Sequence, residues 1–446
     1  MKMISLNIHS FGADEECGDN APFIQKAIDS AAESGGGQVV VPPGTFRSDM
    51  IELRDHVELH LSAGACLKSI LKAIPDPLSD ALEPTTNNNR FLIGGTGVKN
   101  AAITGNGVID GSGSDFWEID PDKEYPLFGQ RYWPKFHRPK GLIHFLKSKH
   151  ITLHDFTLKN APCYAIWLLG CDECSLTRLK IEAPMESPNT DGIDLDCCSR
   201  IDVSSCDIST GDDAIAIKSD IWELGYNKIC ENITVSNCRL RTSSCGIRIG
   251  YEGDGELRNC VFSANTIYQS MIGISIISVL DPENPRGIRI KHGAWIHDIV
   301  FADMTIDAEQ TFNLQHLKIA GDVLSGRISR IYFKNLRAAA RRGSYIGGLQ
   351  DRKIEDLEFS NIDMTLSGYM GDDFCENIPE PYPVWNDLAY TGIPWGFYFR
   401  HVENLTVKDS NIRCHQAGGC WQDHFFRSDN VSGQSISNVS YNKGEL

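Results

Sequence analysis

Apolar residues recur along this chain in an eight-residue phrase whose third and usually eighth positions are apolar and whose fifth is often small and polar. The phrase appears as "AAITGNGV" at 101, "ITLHDFTL" at 151, "CSLTRLKI" at 174, "IDVSSCDI" at 201 and "ITVSNCRL" at 233. It returns as "CVFSANTI" at 260, "IVFADMTI" at 299, "IYFKNLRA" at 331, "LEFSNIDM" at 357 and "LTVKDSNI" at 405. Ten copies exceed chance, and the commonest spacing of 23 to 32 residues is too short for a propeller blade and lacks the helical pattern of a leucine-rich horseshoe. Short strands and turns without intervening helices predict an all-β chain, a right-handed parallel β-helix in which each coil buries itself against its neighbours.

Ahead of the repeats, residues 20–34 place Phe23, Ile24, Ala27, Ile28 and Ala31 at helical spacing and stop at Gly35, Gly36 and Gly37. This predicts a short amphipathic helix that covers the open end of the stack. The segments "GQVVVPPGTF" and "DHVELHLSAGACL" after it read as short strands. Repeat folds escape the usual limit on core size, so the expectation is one domain over 1–446. Within it, 1–70 form the cap and first coils, and 101–412 form coils with insertions at 115–139 and 375–400. Both insertions are rich in aromatics and proline. They read either as loops packed on the flank or as groove walls on which sugar rings stack.

A second strand follows each phrase in the middle of the chain. If the coils keep register, Ile193-x-Leu195, Ile215-x-Ile217, Ile247-x-Ile249 and Ile274-x-Ile276 stack as interior pairs. Period-two alternation then turns Asp194, Ala216, Arg248 and Ser275 outward as one column. Two residues earlier comes another column, Asp191, Asp213, Cys245 and Ile272, with Asp212 beside Thr190 and Ser244.

Composition narrows the partners. The chain is 41% hydrophobic and 23% charged, which fits a soluble globular protein, and its net charge of −17 argues against nucleic acid. It leaves room for an anionic sugar held by a few local cations. No run reaches the length of a membrane span, and "MKMISLNIHSFGADEECGDN" lacks the apolar core of a signal peptide, so the expectation is a cytoplasmic protein. The fifteen cysteines are odd in number and lack metal-ribbon spacing; they read as reduced apolar fillers. Neither a metal nor a cofactor is expected.

Strands lie about 4.8 Å apart, which would set Asp191 and the Asp212–Asp213 pair one rung apart on one surface. Carboxylates that close can hold a proton between them near neutrality. That suits glycoside hydrolysis, where one carboxylic acid protonates the leaving oxygen and a second carboxylate activates water or attacks. Acidic turns are also ordinary solvated loops in a chain with 59 acidic residues.

"NTDG" at 189–192, "GDD" at 211–213 and "RIK" at 289–291, in that order on such a repeat, resemble glycoside hydrolase family 28, the polygalacturonase-like β-helices. The likeness extends to "GGGQVVVPPGTF", "GNGVIDGSG" and "RPKGLIHF" and covers nearly the whole chain. The resemblance implies an inverting enzyme on a pectin lyase-like solenoid, with Asp212 as general acid and Asp191 and Asp213 activating water. It implies that Arg289 and Lys291 bind the sugar ring and its carboxylate, and it draws Asn189 into the site. Guanidinium chemistry agrees, since Arg can meet a carboxylate bidentately. One position departs from the pattern: Cys245 stands in "SSCGIRIG" where polygalacturonases carry a histidine between two glycines. Cysteine cannot reproduce a charged imidazole, and the nearby Arg248 and Glu252 offer other charges for recognising the sugar.

The resulting expectation is a bacterial or divergent family member that hydrolyses pectin-derived, uronate-containing oligosaccharides by exo-action, one end of its groove being blocked by an insertion. The alternatives are a β-helical polysaccharide lyase or epimerase, and a catalytically silent carbohydrate-binding β-helix.

Overall fold

The computed structural model describes residues 4–72, 86–87, 90–125, 129–134, 138–280, 290–318, 326–368, 393–415 and 421–444. They fall into two compact units, one of residues 1–124 and 128–213, the other of 125–127 and 214–446. The fold is a right-handed parallel β-helix: within each unit, short strands pair in parallel with the equivalent strands of adjacent coils.

Each eight-residue phrase spans a strand, a sharp corner and the start of the next strand, as in Ser199–Ser204 followed by Asp207–Thr210. The corner explains the fifth position. Gly105, Asp155, Arg178, Ser205, Asn237, Ala264, Asp303, Asn335, Asn361 and Asp409 all have positive φ. So do the ten residues that immediately precede the phrases, from Asn100 to Asn404. L-residues resist this left-handed conformation, and Asn and Asp resist it least because their short side chains bond locally. The polar fifth position therefore records a backbone requirement. The ten third positions, Ile103 through Val407, are each at most 1% exposed and fill the interior. The eighth position fails in one copy. In "AAITGNGV" the Gly105–Gly107 turn is one residue longer, so Ile109 is buried and pairs with Leu158, while Val108 is only half-buried.

In the first unit, one face stacks Gly141–Leu146, Tyr164–Leu169 and Ile193–Asp196, with Ile166 opposite Ile193 and Leu168 opposite Leu195. Its N-terminal end carries a helix, α1 (Ala21–Glu33). Pro22 opens it, Gly35 and Gly36 end it with positive φ, and the Gly36 amide returns to the Ala31 carbonyl at 2.9 Å. Its buried stripe is Ala21, Ile24, Ala27, Ile28 and Ala31; Phe23 is half-buried and packs on Gly12 instead. The Gln25 amide donates to the Glu52 carbonyl (3.0 Å) and accepts from the Glu52 amide (2.9 Å), so the helix satisfies backbone groups at a strand edge.

In the second unit Ile215, Ile247 and Ile274 form one interior row and Ile217, Ile249 and Ile276 the next. Further along, the third positions become a phenylalanine stack, with Phe262, Phe301, Phe333 and Phe359 in succession at 4.9, 5.1 and 4.7 Å between ring centroids. Of the two insertions, the first contributes a two-stranded sheet, Trp117–Tyr125 with Gly129–Pro134. Phe116 and Trp117 root it, the Trp117 indole donating to the Pro162 carbonyl at 2.9 Å. Residues 375–392 of the second lie outside the described residues. The remainder packs inward through Ile393, Trp395 and Phe397. Among the described residues, no helix is long and apolar enough to cross a membrane.

Phe333 stands mid-stack, and Phe312 lies 4.7 Å from it as well. Phe333→Ala leaves a void that neighbouring coils cannot fill and should cost about 3–5 kcal/mol. The expected result is a lower urea midpoint with an unchanged m-value.

Candidate active site

Asp191 sits at the end of a turn built by its own sequence. The Ser187 hydroxyl lies 2.6 Å from that of Thr190 and donates to the Pro184 carbonyl at 2.5 Å, folding "PMESPNT" back on itself. Asn189 takes the left-handed φ of 50° that the turn needs. The buried Arg138 holds it: Nη2 donates to the Asn189 side-chain oxygen at 2.5 Å, while Nη1 donates to the carbonyls of Pro162 (2.8 Å) and Pro188 (2.7 Å). One guanidinium thus ties its own segment and that of Pro162 to the Asp191 turn.

The second acidic turn stacks directly on the first. The Gly192 amide donates to the Asp213 carbonyl at 2.9 Å, which puts Asp191 and Asp213 one rung apart. The Gly211 amide donates to the Thr190 hydroxyl at 3.1 Å, placing the Asp212 turn beside Thr190. Gly211 is required there, because a Cβ would come within 2.6 Å of the Pro184 carbonyl oxygen. Asp212 turns one carboxylate oxygen onto the Asp213 amide at 2.9 Å, and the Thr210 hydroxyl donates to the Asp212 carbonyl, also at 2.9 Å. Asp191 and Asp213 are 4% and 6% exposed, whereas Asp212 is half-buried. The group suits proton transfer at its most accessible member, with two more enclosed carboxylates beside it.

Within the second unit, Ala216, Arg248 and Ser275 are paired across adjacent strands, as are Cys245 and Ile272. The alternation places them in columns as expected, but outward does not mean exposed. All five are buried, as is Asp194 in the first unit. Cys245 packs with Met271, Ile272, Tyr345, Ile393, Trp395 and Tyr398, an apolar cluster completed by the far end of the second insertion. Arg248 donates to the Ser275 hydroxyl at 3.1 Å and lies 5.5 Å from the Tyr251 ring. Glu252 pairs with Lys218 at 3.2 Å, and Lys218 is itself buried. Lys291 is exposed, its ammonium 4.0 Å from the Trp222 ring centroid. Arg289 lies outside the described residues.

The family model for Glycosyl hydrolases family 28 matches residues 36–383. The chain belongs to that family. It is a glycoside hydrolase. A polygalacturonase of Nicotiana tabacum is 22% identical over 392 residues, covering 84% of this chain and 88% of that protein. The fold resembles that of a hyperthermoactive exopolygalacturonase from Thermotoga maritima, with a TM-score of 0.66 at 22% identity over 81% of this chain and 87% of that one. It also resembles a family 28 exopolygalacturonase of Yersinia enterocolitica, with a TM-score of 0.63 at 18% identity over 98% and 78% of the two chains.

Several polar residues around these family 28 motifs escaped the sequence reading. Lys218 carried a signal, since it continues the outward alternation two residues after Ala216. Arg138 carried none beyond its place in "RPKG", because its partners are 24 to 51 residues away. Among the described residues, no cluster of three or more His, Cys, Asp or Glu side chains is arranged to hold a metal ion.

His144 occupies the strand row that leads through Trp167 to Asp194. Its ring stacks on Trp167 at 4.3 Å, and Nδ1 lies 3.0 Å from the Trp167 carbonyl. Burial pushes its pKa down to about 4, with the nearby Lys140 adding to the fall. The imidazole is therefore neutral in the folded chain at neutral pH and does not supply the cation absent at Cys245. Unfolded chains bind a proton at this side chain between about pH 6.5 and 4 while the folded chain does not, so stability falls as pH drops through that window. Denaturant midpoints measured from pH 7 to 4 should decline less steeply in His144→Phe than in the parent protein.

Proposed function

We propose that this family 28 enzyme hydrolyses, with inversion, glycosidic bonds in pectin-derived, uronate-containing oligosaccharides. The observation that carries this reading is the pair of stacked acidic turns, with Asp191 and Asp213 one rung apart and Asp212 at the accessible edge. In this scheme the Asp212 carboxyl gives its proton to the glycosidic oxygen as the bond to the anomeric carbon breaks. Asp191 and Asp213 take a proton from the water whose oxygen forms the new bond from the opposite face. Lys291 supplies a cation for a uronate, and Arg289 is its expected partner.

The names of the tobacco, Thermotoga and Yersinia proteins fit a pectic substrate, and the two bacterial names fit exo-action.

The test is incubation with galacturonan and rhamnogalacturonan oligosaccharides, with products followed by NMR. Inverted anomers released one unit at a time, without the ultraviolet absorbance of a new double bond, are expected. Retention would contradict the assignment, and unsaturated products would point to a lyase. Asp212→Asn should lower turnover by about 10²–10⁴-fold, the usual scale for losing a general acid. Unchanged turnover in that variant would remove Asp212 from its role.

A further inference from the structure

The second unit contains a carboxylate that no motif announced. Asp254 accepts four hydrogen bonds. One oxygen takes the backbone amides of His292 (2.9 Å) and Gly293 (2.8 Å); the other takes the Lys291 amide (2.7 Å) and the Trp222 indole N–H (2.7 Å). Three successive amides converging on one anion form a tight turn held by charge-assisted bonds, each stronger than a neutral one. The fourth bond fixes the plane of the Trp222 ring, over which the Lys291 ammonium lies at 4.0 Å, well inside cation–π range. Trp222 is placed from its other side by the short helix α2 (Ile221–Leu224), whose N-cap Asp220 accepts from the Trp222 amide at 3.1 Å. Asp254 lies 37 residues from Lys291 and 32 from Trp222 in sequence, so it is the point at which two remote segments are fastened together.

A lysine that recognises a carboxylate has a specific difficulty. Its charge is compact and its stem has four flexible carbons, so the entropy of placing it is lost on binding unless the backbone and a neighbouring surface hold it beforehand. Here the backbone is held by Asp254 and the stem's end by the ring that Asp254 orients. We propose that Asp254 is a positioning residue that presets Lys291, with Trp222, for the carboxylate of a bound uronate. This rests on the functional reading above, in which Lys291 meets the uronate. Asp254 touches neither substrate nor reacting atoms; it acts through the turn and the ring.

The test compares Asp254→Ala, Asp254→Asn, Trp222→Phe, Lys291→Ala and the Asp254→Ala/Lys291→Ala double variant as full chains. Substrates are the pectic oligosaccharide the parent enzyme cleaves and its methyl-esterified counterpart. On the uronate, Lys291→Ala should raise KM about tenfold or more, and Asp254→Ala should reproduce most of that rise with kcat within about threefold. The double variant should be no worse than Lys291→Ala alone, because the two changes remove one interaction. On the ester, Asp254→Ala should match the parent. Asp254→Asn keeps one acceptor oxygen and should fall between, and Trp222→Phe, which loses one of the four bonds, should raise KM about two- to fivefold. These milder variants keep the inference testable if Asp254→Ala fails to fold. An unchanged KM in both Asp254→Asn and Trp222→Phe, a loss confined to kcat, equal losses on uronate and ester, or multiplicative effects in the double variant would each overturn it. A parent protein that cleaves no uronate-containing oligosaccharide would overturn the functional reading and this inference with it.

Discussion

The structure depends on turning a corner cheaply. The chain must turn at two corners around each phrase, just before it and at its fifth position, while keeping its strands in register, and the residues at both corners adopt left-handed backbone angles. Residues other than glycine lose energy there, so the chain places asparagine, aspartate and other polar residues at most of these points. Several then bond to the equivalent residue of the next coil, as Asn335 does to Asp303 and Asn361 to Asn335, both at 2.9 Å. The corner residue thereby becomes part of a ladder, and what begins as backbone strain also helps to fix register.

Register in turn positions the chemistry. The acidic turns meet because strands on either side of them are already aligned, and Ser187, Thr190 and Gly211 close the remaining freedom locally. Asp191 and Asp213 are enclosed by this packing, while Asp212 keeps access to solvent. The residues that stabilise the arrangement are mostly neutral: hydroxyls, amides and one glycine with no room for a side chain. Arg138 is the exception, a buried cation whose hydrogen bonds go to two carbonyls and a side-chain amide.

Much of this was legible in the sequence, because the repeat is carried by local requirements. The apolar third position, the polar fifth and the glycines after α1 each answer to one physical need. The motif order placed the three aspartates together for the same reason, since a fixed coil length converts sequence spacing into stacking. What was not legible is whatever depends on long separations. Nothing near Cys245 announces that Ile393 and Trp395 will pack over it, so a position expected to meet substrate proved to be enclosed. The Asp254 turn was missed for a similar cause, because a single aspartate in "EGDGE" does not show that its partners lie more than thirty residues away in two directions. In the first phrase, an extra residue in the Gly105–Gly107 turn shifts the buried position by one, which a fixed eight-residue spacing does not show.

The closing of the Cys245 rung by Ile393 and Trp395 has an evolutionary corollary. The acids are encoded between residues 191 and 213, and Ile393 and Trp395 almost two hundred residues later. Replacing residues 393–398 would change what encloses Cys245 and leave the residues of the acidic turns as they are. A lineage carrying this chain could therefore vary the packing around Cys245 by changes at one place in the sequence while the acidic turns, encoded at another, stay as they are.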